Sequence, residues 1–141
     1  MKRFIFLFLA TIFILTACQS KPAETTGEKV TVAGGAYANV SAGELNTILK
    51  NKDFVFVNVH FPFEGNIAGT DLSIPYDQIA EPANIAQLPV DKNAKIVLYC
   101  RSGRMSVIAA EELVKLGYTD IWNLEGGMVN WERGGFEIEN K

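Results

Sequence analysis

The segment from Ile96 to Gly117 constrains the fold of this chain most strongly, because a short apolar strand leads through one loop into an amphipathic helix. The run Ile96-Val97-Leu98-Tyr99 is short, rich in branched residues and preceded by polar ones, which indicates a buried strand. Apolar residues then recur at helical spacing from Ser106 to Leu116, and Gly117 is typical of a helix end. Cys100 therefore lies where the end of a strand meets the start of a helix.

The remainder of the chain continues this alternation of strands and helices. Ser41-Ala42-Gly43-Glu44 has the pattern of a capping box and predicts a short helix that extends to about Lys50. The other expected elements are a short strand at 29–32, a strand at 54–59, helical turns within 76–88, a strand at 120–124 and a helical turn at 128–133. This order predicts an α/β protein with a small, mostly parallel central sheet flanked by helices. Ligands bind at the carboxyl ends of the strands in such sheets, which is where Cys100 lies.

The N-terminal residues have the pattern of an export signal. Met1-Lys2-Arg3 is basic, and the apolar run from Phe4 to Leu15 is shorter than the roughly 20 residues that span a bilayer. The ending Leu15-Thr16-Ala17-Cys18 resembles the lipobox of bacterial lipoproteins. That resemblance implies that residues 1–17 are a lipoprotein signal peptide and that Cys18 is lipidated.

These features predict a lipid-anchored protein of the bacterial cell envelope, on the periplasmic or extracellular face of a membrane. Residues 18–37 would form the lipidated N-terminus and a flexible linker, and residues 38–141 the folded domain. An ordinary signal peptide with an incidental Cys18 and an uncleaved membrane anchor are the alternatives.

The charge balance narrows the classes of partner. The full chain has a net charge of −3, and removal of residues 1–17 takes away Lys2 and Arg3 but no acid, which leaves 11 basic and 16 acidic residues and a net charge of −5. This balance argues against nucleic acid as a partner. We expect a monomer whose local cationic pocket takes a small anionic substrate.

The loop with the candidate reactive groups, residues 100–106, follows the strand that ends at Tyr99 and is called the Cys100 loop below. The start of a helix presents unpaired backbone N–H groups, and Arg101 and Arg104 flank Gly103, so the loop favours a thiolate at Cys100 or a bound anion. If Cys18 is lipidated, Cys100 has no cysteine partner within the chain. An inert, buried structural cysteine is the alternative.

Three segments together resemble the rhodanese-like sulfurtransferase family over about residues 38–137. They are Cys100-Arg101-Ser102-Gly103-Arg104-Met105-Ser106, then Asn123-Leu124-Glu125-Gly126-Gly127-Met128-Val129-Asn130-Trp131, and in outline Phe56-Val57-Asn58-Val59-His60 with Gly65-Asn66-Ile67 and Ile74-Pro75.

The resemblance implies a rhodanese-like fold and a thiosulfate sulfurtransferase in which Cys100 is the catalytic nucleophile. Cys100 would take a sulfane sulfur from thiosulfate or a related donor, hold it as a persulfide and pass it to a thiol acceptor. Substrate binding would fall to the residues of the loop, namely Arg101, Ser102, Gly103, Arg104, Met105 and Ser106. No cofactor and no metal are implied.

The chain departs from the family pattern at several positions. Asn58 and His60 stand where an aspartate and an arginine are usual, Asn66 stands where a histidine is usual, and Met105 often corresponds to an arginine. Whether Asn58, His60 and Asn66 reduce activity is left open. An apolar rim around Met105 would favour a bulkier thiol or persulfide donor.

Other side chains near these segments allow more than one interpretation. Phe61 and Phe63 are expected either to form an aromatic lip at the pocket or to pack into the core. Trp122 and Trp131 are expected to be core anchors. His60 is interpreted as a loop residue rather than a proton carrier.

Two other functions compete with sulfur transfer. One is a non-catalytic, lipid-anchored, rhodanese-like binding module, which the departures favour and the complete Cys100 loop disfavours. The other is phosphatase or arsenate reductase chemistry, which requires an arginine six residues after the cysteine. Ser106 occupies that position, so the second alternative is disfavoured.

Overall fold

The computed structural model describes residues 27–141, and these form one central sheet with helices on both faces. The sheet has six strands in the order β1-β2-β7-β6-β3-β5, and every neighbouring pair is parallel except the β1–β2 hairpin. A separate antiparallel pair joins β4 to β8. The strands are β1 (Glu28–Val32), β2 (Gly35–Val40), β3 (Val55–Asn58), β4 (Asn66–Ile67), β5 (Leu72–Ser73), β6 (Ile96–Tyr99), β7 (Ile121–Leu124) and β8 (Ile138–Glu139).

Helices cover both faces of the sheet. They are α1 (Ala42–Leu49), α2 (Pro82–Ile85), α3 (Arg104–Lys115) and α4 (Gly127–Arg133), with a 3-10 turn at Tyr76–Gln78. On one face Leu113 of α3 packs into a buried cluster with Val57 and Leu98, and on the other face Leu45 of α1 and Trp131 of α4 pack into a second cluster. The predicted α/β class, with a mostly parallel sheet between helices, is confirmed.

Strands β3, β6 and β7 are buried over nearly their whole length, because apart from Asn58 in β3 and Asn123 in β7 their residues are apolar on both faces. The predicted capping box is present, since Glu44 N donates to Ser41 Oγ at 3.3 Å and Ser41 N donates to Glu44 Oε2 at 2.9 Å. Pro82 occupies the first turn of α2, where its missing N–H costs no hydrogen bond. The capping box therefore predicted α1, and the helical turns expected within 76–88 are the 3-10 turn and α2.

The strand expected at 29–32 is confirmed as β1, but the expectation of a linker up to residue 37 differs from the structure. Residues 28–40 form the β1–β2 hairpin, and β2 extends the parallel sheet by pairing with β7. The physical reason is burial, because Tyr37 and Val40 of β2 enter the two core clusters. The ordered sheet thus begins ten residues before the predicted domain boundary at 38.

The predicted signal peptide and the lipidation site Cys18 lie outside the described residues. Between residues 27 and 141, no helix is both long enough and apolar enough to cross a membrane.

Candidate active site

Cys100 lies directly after β6, at the carboxyl edge of the parallel sheet. The parallel register pairs Asn58 with Tyr99, and Val59 N donates to Tyr99 O at 2.8 Å, so the residues that follow β3 lie beside the Cys100 loop. Cys100 itself is only 1% exposed. The sequence thus predicted the position of the thiol correctly.

Two donors lie beside the Cys100 sulfur. Gly103 N donates to Cys100 Sγ at 3.1 Å, and the buried hydroxyl of Ser106 lies 3.5 Å from the same sulfur. Ser106 Oγ also lies 3.1 Å from Gly103 O, so its single proton is offered to a carbonyl and to the sulfur in alternation. Both donors are suited to stabilising negative charge on sulfur.

Gly103 is the residue that makes this close approach of amide and sulfur possible. Its φ is +94°, a left-handed conformation that favours glycine, and it is the N-cap residue of α3. A Cβ at this position would lie 3.2 Å from Gly126 N, so a side chain would also separate the loop from the residues that precede α4.

The N-terminus of α4 donates backbone hydrogen bonds to the Cys100 loop. Met128 N donates to Cys100 O and Val129 N donates to Arg101 O, both at 2.9 Å. Gly127 has a φ of +57°, and a Cβ there would lie 2.8 Å from Arg101 O. Gly127, the first residue of α4, therefore allows the helix end to lie against the backbone of the Cys100 loop.

The remaining predicted site residues form the outer part of the loop. The Arg101 side chain is 59% exposed, and Ser102 and Arg104 are exposed as well. Met105 is half-buried and packs against the core cluster that contains Cys100. Cys100, Gly103 and Ser106 thus form the buried part of the site, while Arg101, Ser102 and Arg104 face solvent.

An acidic residue that the sequence did not single out reaches this loop. Glu64 Oε2 forms an ion pair with Arg101 Nη1, and the hydrogen bond from Arg101 is the main reason that the pKa of Glu64 lies below its ordinary value. His60 Nε2 lies 3.3 Å from the same carboxylate oxygen. The His60 side chain is 7% exposed, and neither ring nitrogen makes an aligned hydrogen bond within the described part of the chain.

The buried Asn58 and the half-buried Asn66 hold the segment that carries Glu64. Asn58 Nδ2 donates to Gly65 O and to Asn66 Oδ1, both at 2.9 Å, and Asn58 Oδ1 accepts from His60 N at 2.9 Å. Asn66 Oδ1 also accepts from the Tyr99 hydroxyl at 3.2 Å. The departures at Asn58 and Asn66 therefore form a neutral hydrogen-bonded network in place of a charged one.

The Tyr99 hydroxyl is a second feature that sequence reasoning missed. It lies 2.7 Å from Thr70 Oγ1 and accepts from Ile67 N at 3.0 Å, and burial raises the pKa of the Tyr99 phenol. A tyrosine at the end of an otherwise aliphatic strand, directly before the cysteine, is the signal that could have marked it.

The aromatic side chains divide as follows. Trp122 and Trp131 are buried, which confirms them as core anchors. Phe61 and Phe63 are 58% and 52% exposed, so core packing is ruled out for both. No group of three or more His, Cys, Asp and Glu residues in the 27–141 region is arranged to hold a metal ion.

The fold and this site together define an α/β protein with a buried cysteine, between a parallel strand and a helix, whose sulfur accepts hydrogen bonds from a backbone N–H and a hydroxyl group. The model of the Rhodanese-like domain matches residues 41–133, and the chain belongs to that family.

Individual relatives agree with this assignment. The rhodanese-like domain protein of Staphylococcus aureus is 31% identical, with a TM-score of 0.58 over 72% of this chain and 98% of its own. A rhodanese-related protein of Thermoplasma volcanium is 27% identical, with a TM-score of 0.59 over 73% and 98% of the two chains.

A match among curated proteins is the tRNA uridine(34) hydroxylase of Erwinia tasmaniensis, which is 32% identical over 103 residues. That alignment covers 70% of this chain but 29% of the hydroxylase. The chain therefore spans less than a third of the length of this relative.

Proposed function

We propose that this protein is a sulfurtransferase that moves a sulfane sulfur from an anionic donor to a thiol through a persulfide on Cys100. The observation that carries the proposal is the pair of donors at the Cys100 sulfur, Gly103 N at 3.1 Å and Ser106 Oγ at 3.5 Å. Donors in this position favour a negatively charged sulfur, both before and after it accepts a second sulfur atom.

The transfer divides into two displacements. The Cys100 thiolate attacks the terminal sulfur of thiosulfate, the S–S bond of the donor breaks, and sulfite leaves with the bonding electron pair. The resulting Cys100 persulfide anion is then attacked at its terminal sulfur by an acceptor thiolate, which departs as a persulfide and restores the Cys100 thiolate. Such covalent catalysis predicts ping-pong kinetics.

Separate substitution of the two cysteines in the chain provides the test. With thiosulfate and cyanide as donor and acceptor, Cys100→Ser is expected to abolish thiocyanate formation. Cys18→Ser is the matched control and is expected to retain the wild-type rate, because it removes the other cysteine and leaves the loop intact. Equal activity of wild type and Cys100→Ser would overturn the proposal.

A binding module without catalysis is the second candidate, and the burial of Cys100 together with the neutral Asn58 network favours it. It predicts that wild type and Cys100→Ser are equally inactive with several sulfur donors. The assay above, run with each of these donors, therefore separates the two candidates.

The name of the hydroxylase relative does not carry over to this chain as a whole. The shared region is 29% of that protein, and the net charge of this chain is −3, which disfavours a nucleic acid partner. We therefore place a small anionic donor and a thiol, rather than RNA, at the Cys100 loop.

We further propose that residues 1–17 are removed and that a lipid on Cys18 anchors the protein in the bacterial cell envelope. The support is the sequence pattern alone, namely a basic start, an apolar run and Leu15-Thr16-Ala17-Cys18. Cys18→Ser is expected to move the protein out of the membrane fraction. Equal membrane association of the wild type and this variant would contradict the anchor.

A further inference from the structure

The cation nearest to the catalytic cysteine in sequence, Arg101, is already paired within the molecule. Glu64 Oε2 contacts Arg101 Nη1, and both side chains are partly exposed, so the pair lies at the outer surface of the Cys100 loop. A substrate anion that approaches Arg101 meets a carboxylate at the same guanidinium group.

The segment around Glu64 is held at both ends. Asn58 accepts from His60 N and donates to Gly65 O, each at 2.9 Å, which fixes the backbone on both sides of Glu64. Gly65 has a φ of +104°, and a Cβ there would lie 2.7 Å from Glu139 O, so the segment is also packed closely against β8. The backbone that carries Glu64 is therefore held in place beside the Cys100 loop, and the ion pair with Arg101 positions its carboxylate.

Of the two arginines in the Cys100 loop, only Arg104 has no carboxylate partner among the described residues. Among residues 27–141, Arg104 makes no ion pair, whereas Arg101 is neutralised by Glu64. The electrostatic repulsion between the Glu64 carboxylate and a ligand is proportional to the charge of the ligand. This repulsion is therefore about twice as large for a dianion as for a monoanion. Thiosulfate is a dianion.

Two aromatic residues that precede Glu64 in the chain add an apolar surface. Phe61 and Phe63 are 58% and 52% exposed and lie three and one positions before Glu64, and neighbouring exposed aromatic side chains are suited to contact with an apolar ligand group. An apolar substituent on the donor would cover one of these rings, which an inorganic donor does not do.

From these observations we propose that Glu64 is a specificity-determining residue that disfavours dianionic sulfur donors and directs the site to monoanionic donors bearing an apolar group. The proposal rests on the proposed sulfur transfer and names the substrate class for it. With an aromatic thiosulfonate, the Cys100 thiolate attacks the terminal sulfur, the bond between that sulfur and the sulfonyl group breaks, and an aromatic sulfinate leaves with the electron pair.

Benzenethiosulfonate and thiosulfate form a suitable pair of probes, since both present a terminal sulfur on an oxidised sulfur atom and they differ by one charge and one ring. Glu64→Gln is expected to raise kcat/KM about tenfold for thiosulfate and about threefold for benzenethiosulfonate at low salt, which lowers the preference for the aromatic donor about threefold. Glu64→Asp keeps the charge and is expected to keep the wild-type preference.

Glu112→Gln is the matched control. Glu112 also forms an exposed ion pair, with Lys115 at the far end of α3, and its loss is expected to leave the preference for the aromatic donor unchanged. The proposal is overturned if Glu64→Gln shows the same preference as the wild type and Glu112→Gln.

A second measurement does not depend on sulfur transfer. Iodoacetate and iodoacetamide alkylate the same thiol and differ in charge, and peptide mass spectrometry of the full chain reports their rates at Cys100 separately from Cys18. Glu64→Gln is expected to raise the ratio of the iodoacetate rate to the iodoacetamide rate about threefold. An unchanged ratio overturns the role of Glu64, whereas a raised ratio without any sulfur transfer supports that role and overturns the sulfurtransferase function instead.

Discussion

Ser106 has one hydroxyl proton and two neighbours that accept it, Gly103 O at 3.1 Å and Cys100 Sγ at 3.5 Å. A charged acceptor forms the stronger hydrogen bond, so ionisation of Cys100 draws this proton towards the sulfur. Ser106 thereby links the charge state of the thiol to the backbone of the loop.

Ser106→Ala is therefore expected to slow sulfur uptake by Cys100 roughly tenfold, because a hydrogen bond to a charged group contributes about 1.5 kcal/mol or more. Stopped-flow measurement of sulfite release checks this. Thr47→Ala removes an exposed hydroxyl that bonds a carbonyl in α1 and serves as the control. Uptake at the same rate in both variants would contradict the role of Ser106.

Asn58 departs from the family pattern, yet both its amide nitrogen and its amide oxygen make hydrogen bonds. Its amide donates to two oxygen acceptors, Gly65 O and Asn66 Oδ1, within a buried environment. An aspartate here would face both acceptors with carboxylate oxygens, so the usual family residue does not fit this chain.

Restoring the aspartate by Asn58→Asp should thus lower the free energy of unfolding by about 2 kcal/mol or more, since buried donors are lost and a charge is buried. Urea denaturation gives this value. The exposed Asn51→Asp provides the comparison and is expected to stay within about 0.5 kcal/mol of the wild type. Equal effects of the two substitutions would show that the network is dispensable.

At the scale of elements, the contact between α4 and the Cys100 loop is the feature on which the site geometry depends. Met128 N and Val129 N donate to the carbonyls of Cys100 and Arg101, and Gly127 leaves room for this approach. The positive φ of +57° at Gly127 adds a conformational reason for glycine.

Gly127→Ala is accordingly expected to cost about 3 kcal/mol of stability, from the left-handed backbone and the clash with the Arg101 backbone. Gly43→Ala is the control, because nothing lies within 4 Å of the added methyl group. That variant is expected to be as stable as the wild type or up to about 1 kcal/mol more stable. Denaturation followed by tryptophan fluorescence distinguishes the two, and similar stability of both variants would argue against the close approach.

The first turn of α1 contributes stability that depends on pH. The hydroxyl and backbone N–H of Ser41 both donate to Glu44, and these hydrogen bonds hold the pKa of Glu44 below its usual value. A carboxyl group with a lowered folded-state pKa stabilises the fold above its unfolded pKa, and this contribution is lost as the pH falls through the folded value.

We expect Ser41→Ala to destabilise the protein by about 1 kcal/mol at pH 7 and by progressively less below about pH 4.5. Thermal unfolding at a series of pH values measures both effects. For Thr47→Ala the difference from the wild type should not change with pH, because its hydroxyl bonds a carbonyl. A constant cost of Ser41→Ala at all pH values would contradict the linkage to Glu44.

At the scale of the whole molecule, the sheet order brings the start of the described chain to the same edge as Cys100. Glu28 pairs with Asn39, which in turn lies beside Asn123 near the carboxyl end of β7. If Cys18 carries the proposed lipid, the ten residues from there to Glu28 reach at most about 35 Å. Glu28, at that edge, would then lie within about 35 Å of the membrane surface.

The features that the sequence predicted well are those encoded over a few neighbouring residues. The strand that ends at Tyr99, the Cys100 loop, α3 and the capping box of α1 each follow from local patterns. The β1–β2 hairpin carried a local signal as well, since Val30 and Val32 alternate with polar residues before Gly34-Gly35. Its membership of the central sheet depends on β7, which lies far along the chain.

The features that escaped prediction depend on contacts between distant residues. Glu64 and Arg101 are 37 positions apart, and the Tyr99 hydroxyl meets Ile67 across 32 positions. The β4–β8 pair joins strands of two residues each, which are too short to produce a periodic pattern. The pairing of Arg101 with Glu64 therefore could not be predicted from the sequence and is evident only from the structure.

The mass of the peptide that contains Cys100 tests the central claim most directly. After treatment of the full chain with thiosulfate or benzenethiosulfonate, this peptide should gain about 32 Da, the mass of one sulfur atom, and should lose it again on addition of cyanide. Cys100→Ser should show no gain at that position. An unmodified Cys100 peptide after treatment with both donors, in protein whose Cys100 still reacts with iodoacetamide, would contradict the account.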